Sequence, residues 1–296
     1  MSILSKMIRI TFARSDRKRD RGLEAPPEVE RFPDLTYADT DPQQVLDVYR
    51  PAGKADLPVI VSVHGGAWVY GDKDLYQYYA MDLARRGFAV VNFSYRLAPE
   101  AKFPAQLEDV CLAFRWTAEN IGRFGGDKER LFAVGDSAGA HLLSLYFALK
   151  TDPAYAENFP FRAPEAGMPK AAALNCGAYR MSGSKGGTKG LLKDLMPKGS
   201  SREDVLLLEP LRRVGPGFPP MFLMTAVKDF LKDDADEMKR ALDRAGVPNE
   251  LHVYDDPAHE LGHVFHLNMR SPYAARCNDE ECAFFRRWDA AGETKG

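Results

Sequence analysis

The chain has 296 residues, 45% of them hydrophobic and 28% charged, with a formal net charge of −2. That is enough apolar material for one large α/β domain or two small ones. A near-neutral balance excludes the strong cationic field by which nucleic-acid and anionic-membrane proteins gather their partners, and no stretch is as long and apolar as a membrane span. The start, MSILSKMIRITFARSD, has scattered basic residues and lacks the apolar core of a signal peptide, so the expected location is cytoplasmic. Cys111, Cys176, Cys277 and Cys282 lack paired CxxC spacing and read as reduced thiols.

In chain order, residues 1 to about 40 are polar and helix-compatible. Their one cationic run, Arg14 to Arg21 (RSDRKRDR), is interrupted by two aspartates and reads as a solvated face. Strand-like runs follow at Val45–Tyr49, Val59–Val63, Ala89–Phe93, Leu131–Val134, Ala171–Leu174, Met221–Thr225 and Leu251–Tyr254. Helical patterns fall between many of them, at about Tyr76–Arg86, Ala105–Ile121, Ala138–Lys150 and Asp233–Ala245. Such alternation predicts a mostly parallel sheet flanked by helices. Residues 177–218 break the pattern, being rich in Gly, Lys and Pro with one short helical piece, GLLKDLM. Residues 1–40 and 177–218 are therefore expected as cap or lid elements on a single domain spanning 1–296, because long insertions in a compact α/β fold usually shape a site. Within the second, GSKGGTKG (Gly183–Gly190) lacks the spacing of a phosphate-binding loop and reads as a mobile connection.

The stretch RLFAVGDSAGAHL carries the first chemical signal: an apolar strand stops at Gly135, the chain bends at Ser137, and a helix starts at Ala138. Gly135 and Gly139 flank the serine, as an elbow requires where sheet and helix approach closely, and the bend exposes the hydroxyl at a helix N-terminus. Upstream, the strand VIVSV runs into His64-Gly65-Gly66-Ala67-Trp68. Beside a serine elbow, the backbone amides of Gly66 and Ala67, with Ala138 as a third, would form an oxyanion hole, each donor worth roughly 3 kcal/mol of transition-state stabilisation. His64 is expected to brace that loop.

A serine needs a base to take its proton and a third group to orient that base. Asp229 is the first carboxylate past the strand PMFLMTA, whereas Asp233 and Asp234 suit the start of the next helix. After the last strand, PAHELGHVFHLN offers His259, His263 and His266, and loop position alone does not choose among them. His141, on the elbow helix, reads as a satisfied core histidine. The same loop matches H-E-x-x-H, so His259, Glu260 and His263, with Glu280 or Glu281, would be ligands in a rival zinc metallohydrolase reading. That reading leaves the elbow, the His-Gly-Gly turn and Asp229 without a purpose. A catalytically silent binding module is a further alternative, although no triad member is missing.

Taken together, His64-Gly65-Gly66, YRLAPEAKFPAQLEDV (Tyr95–Val110), Gly135-Asp136-Ser137-Ala138-Gly139, Asp229-Phe230-Leu231-Lys232-Asp233 and His263-Val264-Phe265 resemble the successive signatures of the hormone-sensitive-lipase-like branch of the α/β-hydrolases, over about residues 45–287. The resemblance implies an α/β-hydrolase fold with a mostly parallel eight-stranded sheet, an N-terminal helical cap and a cap insertion. It also implies a serine carboxylesterase acting on small acyl esters through an acyl-enzyme, with the triad Ser137, Asp229 and His263 and with no metal or cofactor. His263 is favoured because HVF is similar to the family's His-x-Phe. The chain departs from the pattern at Ala67, in place of a third glycine, which should narrow the pocket floor, and at Phe230, in place of a proline. HGGAWVYGDKD also resembles bacterial esterases that deacylate carbohydrates. Short acyl groups, acetyl above all, are expected because Trp68 and the cap should crowd the site. The expected partner is a small-molecule ester, with no nucleic acid and no stable membrane association, while homo-oligomerisation is left open. Tyr70, Tyr76, Tyr78 and Tyr79 could line an acyl or sugar pocket, but are expected instead to pack a helix against the cap.

Overall fold

The computed structural model describes residues 1–181, 188–256, 258 and 261–293. Among these, eight strands form one sheet: β1 (Val29–Thr36), β2 (Val45–Pro51), β3 (Leu57–Val63), β4 (Ala89–Phe93), β5 (Gly126–Asp136), β6 (Ala171–Asn175), β7 (Met221–Ala226) and β8 (Asn249–Tyr254). Their order is β1-β2-β4-β3-β5-β6-β7-β8, with β2 antiparallel to both neighbours and every other pair parallel. The helices are α1 (Ile3–Asp20), α2 (Gln77–Arg85), α3 (Ala105–Asn120), α4 (Ala138–Thr151), α5 (Pro153–Ala156), α6 (Thr188–Leu195), α7 (Arg202–Leu206), α8 (Lys232–Ala245) and α9 (Pro272–Glu293). No helix among the described residues is long and apolar enough to cross a membrane.

The central strands are apolar on both faces, which is why helices cover both. Val59, Val61 and Val63 point into one buried cluster with Leu107 and Phe114 of α3, Leu142 of α4 and Met238 of α8. Ile60, Phe132 and Phe222 point into the other, with Leu83 of α2 and Phe284 and Phe285 of α9. Strand β1 lies within the stretch read as helix-compatible cap. It is an edge strand, half exposed, with Pro33 and charged residues along it and a register shift between Phe32 and Leu35, and those are the features that blunt an edge rather than announce a strand. The buried stripe of α9 is likewise blurred, because the polar Asn278 and Glu281 are buried among its apolar residues.

Helix α1 is tied to α6 and to the loop after β3. Asp194 accepts hydrogen bonds from Ser5 Oγ and the Ser2 amide, both 2.6 Å. The Arg9 guanidinium donates to the carbonyls of Val69, at 2.7 Å, and Ala98, at 2.9 Å. This places α1 across the carboxyl ends of the parallel strands, where open α/β sheets bind ligands.

Candidate active site

At the end of β5 the chain turns sharply: Ser137 has φ 50° and ψ −114°, a left-handed value that a residue with a Cβ adopts only under constraint. The constraint comes from both sides. The Ser137 amide donates to the Asn175 carbonyl at 2.9 Å, and its carbonyl accepts from the His141 amide at 3.1 Å. Helix α4 then begins directly against the end of β3, so that a Cβ at Gly139 would stand 1.9 Å from the Val63 carbonyl oxygen.

The structure brings three of the sequence candidates into one hydrogen-bonded line. Ser137 Oγ lies 3.0 Å from His263 Nε2, and His263 Nδ1 lies 2.8 Å from Asp229 Oδ1. Asp229 also accepts from Thr225 Oγ1 and the Leu231 amide, each at 2.9 Å. Burial pushes the Asp229 carboxyl up, but the hydrogen bond and charge of His263 and the Leu231 amide outweigh it and hold it below the usual range. An ionised carboxylate only accepts, so Nδ1 carries the imidazole proton and Nε2 is left to accept from the serine hydroxyl.

The turn after β3 is closed by the Val69 and Tyr70 amides, which donate to the Gly66 carbonyl at 3.1 and 3.0 Å. Among the described residues, no protein acceptor takes the amides of Gly66, Ala67 or Ala138. His64 braces this loop as expected: it is buried, its Nδ1 donates to the Gly65 carbonyl at 2.7 Å, and its ring stacks on Tyr95 at 4.0 Å. Burial lowers its pKa to about 4, so the brace is neutral.

Two expectations are corrected here. The Ala67 methyl packs against the core instead of narrowing the cleft. Trp68 does not crowd the site; it is buried and donates through Nε1 to His141 Nδ1 at 3.2 Å, while His141 Nε2 donates to the Leu208 carbonyl at 2.8 Å. Gly66, Ala67 and Trp68 all have positive φ, and that run turns the indole inward. The cleft, of about 220 Å³, is crowded instead by Phe12 of α1, Tyr70 and Phe230, with Asp16 and Arg19 at its α1 side. Phe230 lies 4.4 Å from the His263 ring, centroid to centroid. Tyr70 and Tyr78 do pack against the N-terminal segment, through Asp16 and the Leu23 carbonyl, but Tyr70 and Tyr76 line the cleft as well.

Of the other histidines, His266 is buried against Tyr79, and His259 and Glu260 lie outside the described residues. Glu281 accepts from Tyr79 and Asn175, and Glu280 from Tyr254 and Arg276. The group of described residues with metal-ligand spacing is Cys176, Asp229 and His263, within 4.8 Å of one another, yet both His263 nitrogens already face Asp229 and Ser137.

A feature the sequence reading missed is the Asp136 carboxyl. It is buried, accepts from Tyr76 Oη at 2.8 Å, and Tyr76 Oη in turn accepts from the Gly65 amide at 2.9 Å, so the elbow and the glycine turn are pinned together. Burial pushes the Asp136 carboxyl up to about 6 from its usual 3.8. The folded state therefore holds this proton more tightly than the unfolded chain, and stability is lost as pH climbs from about 4 to about 6, the loss remaining at higher pH. Asp136→Asn keeps an acceptor for Tyr76 without a charge. It is expected to gain stability over the parent as pH rises from about 4 to about 7, by up to about 3 kcal/mol. Thermal melts across that range check this, and a difference that does not grow with pH would contradict it.

Residues 60–266 match the alpha/beta hydrolase fold family. The chain belongs to that family, in its hormone-sensitive-lipase-like branch. This hydrolase is similar to carboxylesterase NlhH of Mycobacterium tuberculosis, 30% identical over 300 residues that cover 94% of this chain and 92% of that protein. It is also similar to versiconal hemiacetal acetate esterase of Dothistroma septosporum, 29% identical over 252 residues, 79% of this chain and 75% of that one. The match to esterase LipC of Mycobacterium tuberculosis is 38% identical but shorter, 43% of this chain and 32% of that protein. Among solved structures, esterase B from Lactobacillus rhamnosis, inhibited by a tributyrin phosphonate, superposes with a TM-score of 0.90 at 25% identity, over 99% of this chain and 97% of that one. This hydrolase is a carboxylic ester hydrolase.

Proposed function

We propose that the hydrolase cleaves short-chain acyl esters, acetyl foremost, of small alcohols or carbohydrates through an acyl-enzyme on Ser137. The observation that carries the reading is the unbroken hydrogen-bonded line from Asp229 through His263 to Ser137 at the cleft. His263 Nε2 takes the hydroxyl proton as Oγ attacks the ester carbonyl. The Gly66, Ala67 and Ala138 amides receive the developing oxyanion. The alkoxy C–O bond then breaks and the alcohol leaves with the proton from His263, after which water, deprotonated by the same nitrogen, releases the acid. Asp229 holds the imidazole in the productive tautomer. No step in this scheme calls for a metal or cofactor, and neither the zinc nor the silent-module reading is favoured.

The preference for short chains rests on the small cleft and on Phe12, Tyr70 and Phe230 within it, with α1 and residues 188–218 as cap elements. The acetate named for the Dothistroma relative and the tributyrin phosphonate on esterase B belong to those proteins, and they support the same range. The four cysteines are free and buried, which suits a reducing, cytoplasmic setting.

A series of p-nitrophenyl esters of rising acyl length, beside an acetylated sugar, tests the reading; kcat/KM is expected to peak at the shortest acyl groups. A serine-directed phosphonate should label Ser137 while a chelator leaves turnover unchanged. A peak at long chains, or loss of activity to the chelator, would overturn it. Phe12→Ala should deepen the cleft and raise the ratio of kcat/KM for hexanoate over acetate by about tenfold, the worth of one or two buried methylenes.

A further inference from the structure

The cationic run Arg14–Arg21 is broken by aspartates in the sequence, but the helix sorts the charges onto different faces. Asp16 and Asp20 turn toward the body of the protein, where Arg19 pairs with both, at 3.0 and 2.7 Å, and Asp16 also accepts from Tyr70. At about 100° per residue, Ile3, Met7 and Ile10 share one arc, of about 120°, with Lys6, Arg14, Arg17 and Lys18. The four cations are exposed, and the three apolar side chains are 80, 57 and 53% exposed. The opposite arc carries Ser5, Arg9, Phe12, Asp16 and Arg19, which contact α6, the glycine turn or the cleft.

We propose that the outer face of α1 is a peripheral docking surface for an anionic phospholipid bilayer. Charge complementarity selects this occupant. Four cations with no acid on the same arc attract an anionic headgroup layer, while Ile3, Met7 and Ile10 reach the acyl boundary, the layout of a helix that lies in an interface. A second copy of the chain is a poor fit, because a two-fold contact would set the same cations against each other. The attraction is local, so the chain's overall charge of −2 does not oppose it beyond about 10 Å, one Debye length in ordinary buffer. The contact is reversible and leaves α1 in place over the cleft.

The test is co-sedimentation of the full chain with phosphatidylcholine vesicles, with and without phosphatidylglycerol. Partitioning to the anionic vesicles is expected to be at least ~10-fold stronger and to fall as salt is raised. Two combined variants separate the contributions: Lys6→Gln with Arg14→Gln, Arg17→Gln and Lys18→Gln, and Ile3→Ser with Met7→Ser and Ile10→Ser. Each should lose vesicle binding while hydrolysing a soluble acetyl ester at the parental rate, which also certifies its fold. If a variant does not fold, the comparison of vesicles and salt on the parent decides alone. Equal binding to neutral vesicles, no binding, binding retained in both variants, a dimer in sedimentation that the apolar variant splits, or tighter retention on nucleic acid than on anionic vesicles would overturn the proposal.

Discussion

Replacing Ser137 with alanine is expected to lower kcat on a soluble acetyl ester by at least ~10^4 while the fold survives. The hydroxyl is half-buried at the cleft and its backbone amide and carbonyl are bonded independently of the side chain, so removing one oxygen costs little stability. His263→Ala should match that loss, since a serine without its base is nearly as inert as no serine at all. The double variant should be scarcely worse than either single one, because groups that act as a unit do not add. His259→Ala should keep most activity. Steady-state kinetics with active-site titration check all four variants, and undiminished turnover in Ser137→Ala would end the acyl-enzyme reading.

Gly139→Ala is expected to cost at least ~4 kcal/mol, a large part of the stability of an ordinary domain. The added methyl would stand 1.9 Å from the Val63 carbonyl oxygen, with the His64 oxygen at 2.7 Å and the Val63 carbonyl carbon at 2.8 Å. All three are backbone atoms, so no flexible side chain can swing aside; either β3 or the first turn of α4 has to move. The melting temperature should fall by about 10 °C or more. Gly122→Ala is the control, because nothing lies within 4 Å of a Cβ there and its φ is ordinary; it should be neutral. A Gly139 variant that melts with the parent would mean that the close contact between elbow helix and sheet is dispensable.

The sequence disclosed the sheet best where strands are buried on both faces. Runs such as VIVSV and LFAV have no polar alternation to confuse with anything else. Edge strand β1 carries Pro33 and charges, and α9 hides polar groups inside its buried stripe, so neither showed an apolar period. At the site, Ser137 and Asp229 were legible because each follows directly from the end of a strand. The choice among three histidines within eight positions was not, since a loop has no period to say which ring turns inward; it rested on the resemblance around HVF. Trp68 was misjudged for a related reason: three consecutive positive φ values reverse the direction in which its side chain points, and nothing in residue order reports that. The Asp136–Tyr76–Gly65 bridge went unseen because its members lie in three separate segments.

The ties between α1 and the glycine turn carry a consequence for how substrate enters. Arg9 grips the Val69 carbonyl and Asp16 grips the Tyr70 hydroxyl, so the helix roofing the cleft is bolted to the two residues whose amides close the glycine turn on the Gly66 carbonyl. Lifting that roof would slacken the anion cradle beneath it. A gaping enzyme would thus be an idle one, and esters must slip in past yielding rings such as Phe12 and Phe230 instead of through a swinging door.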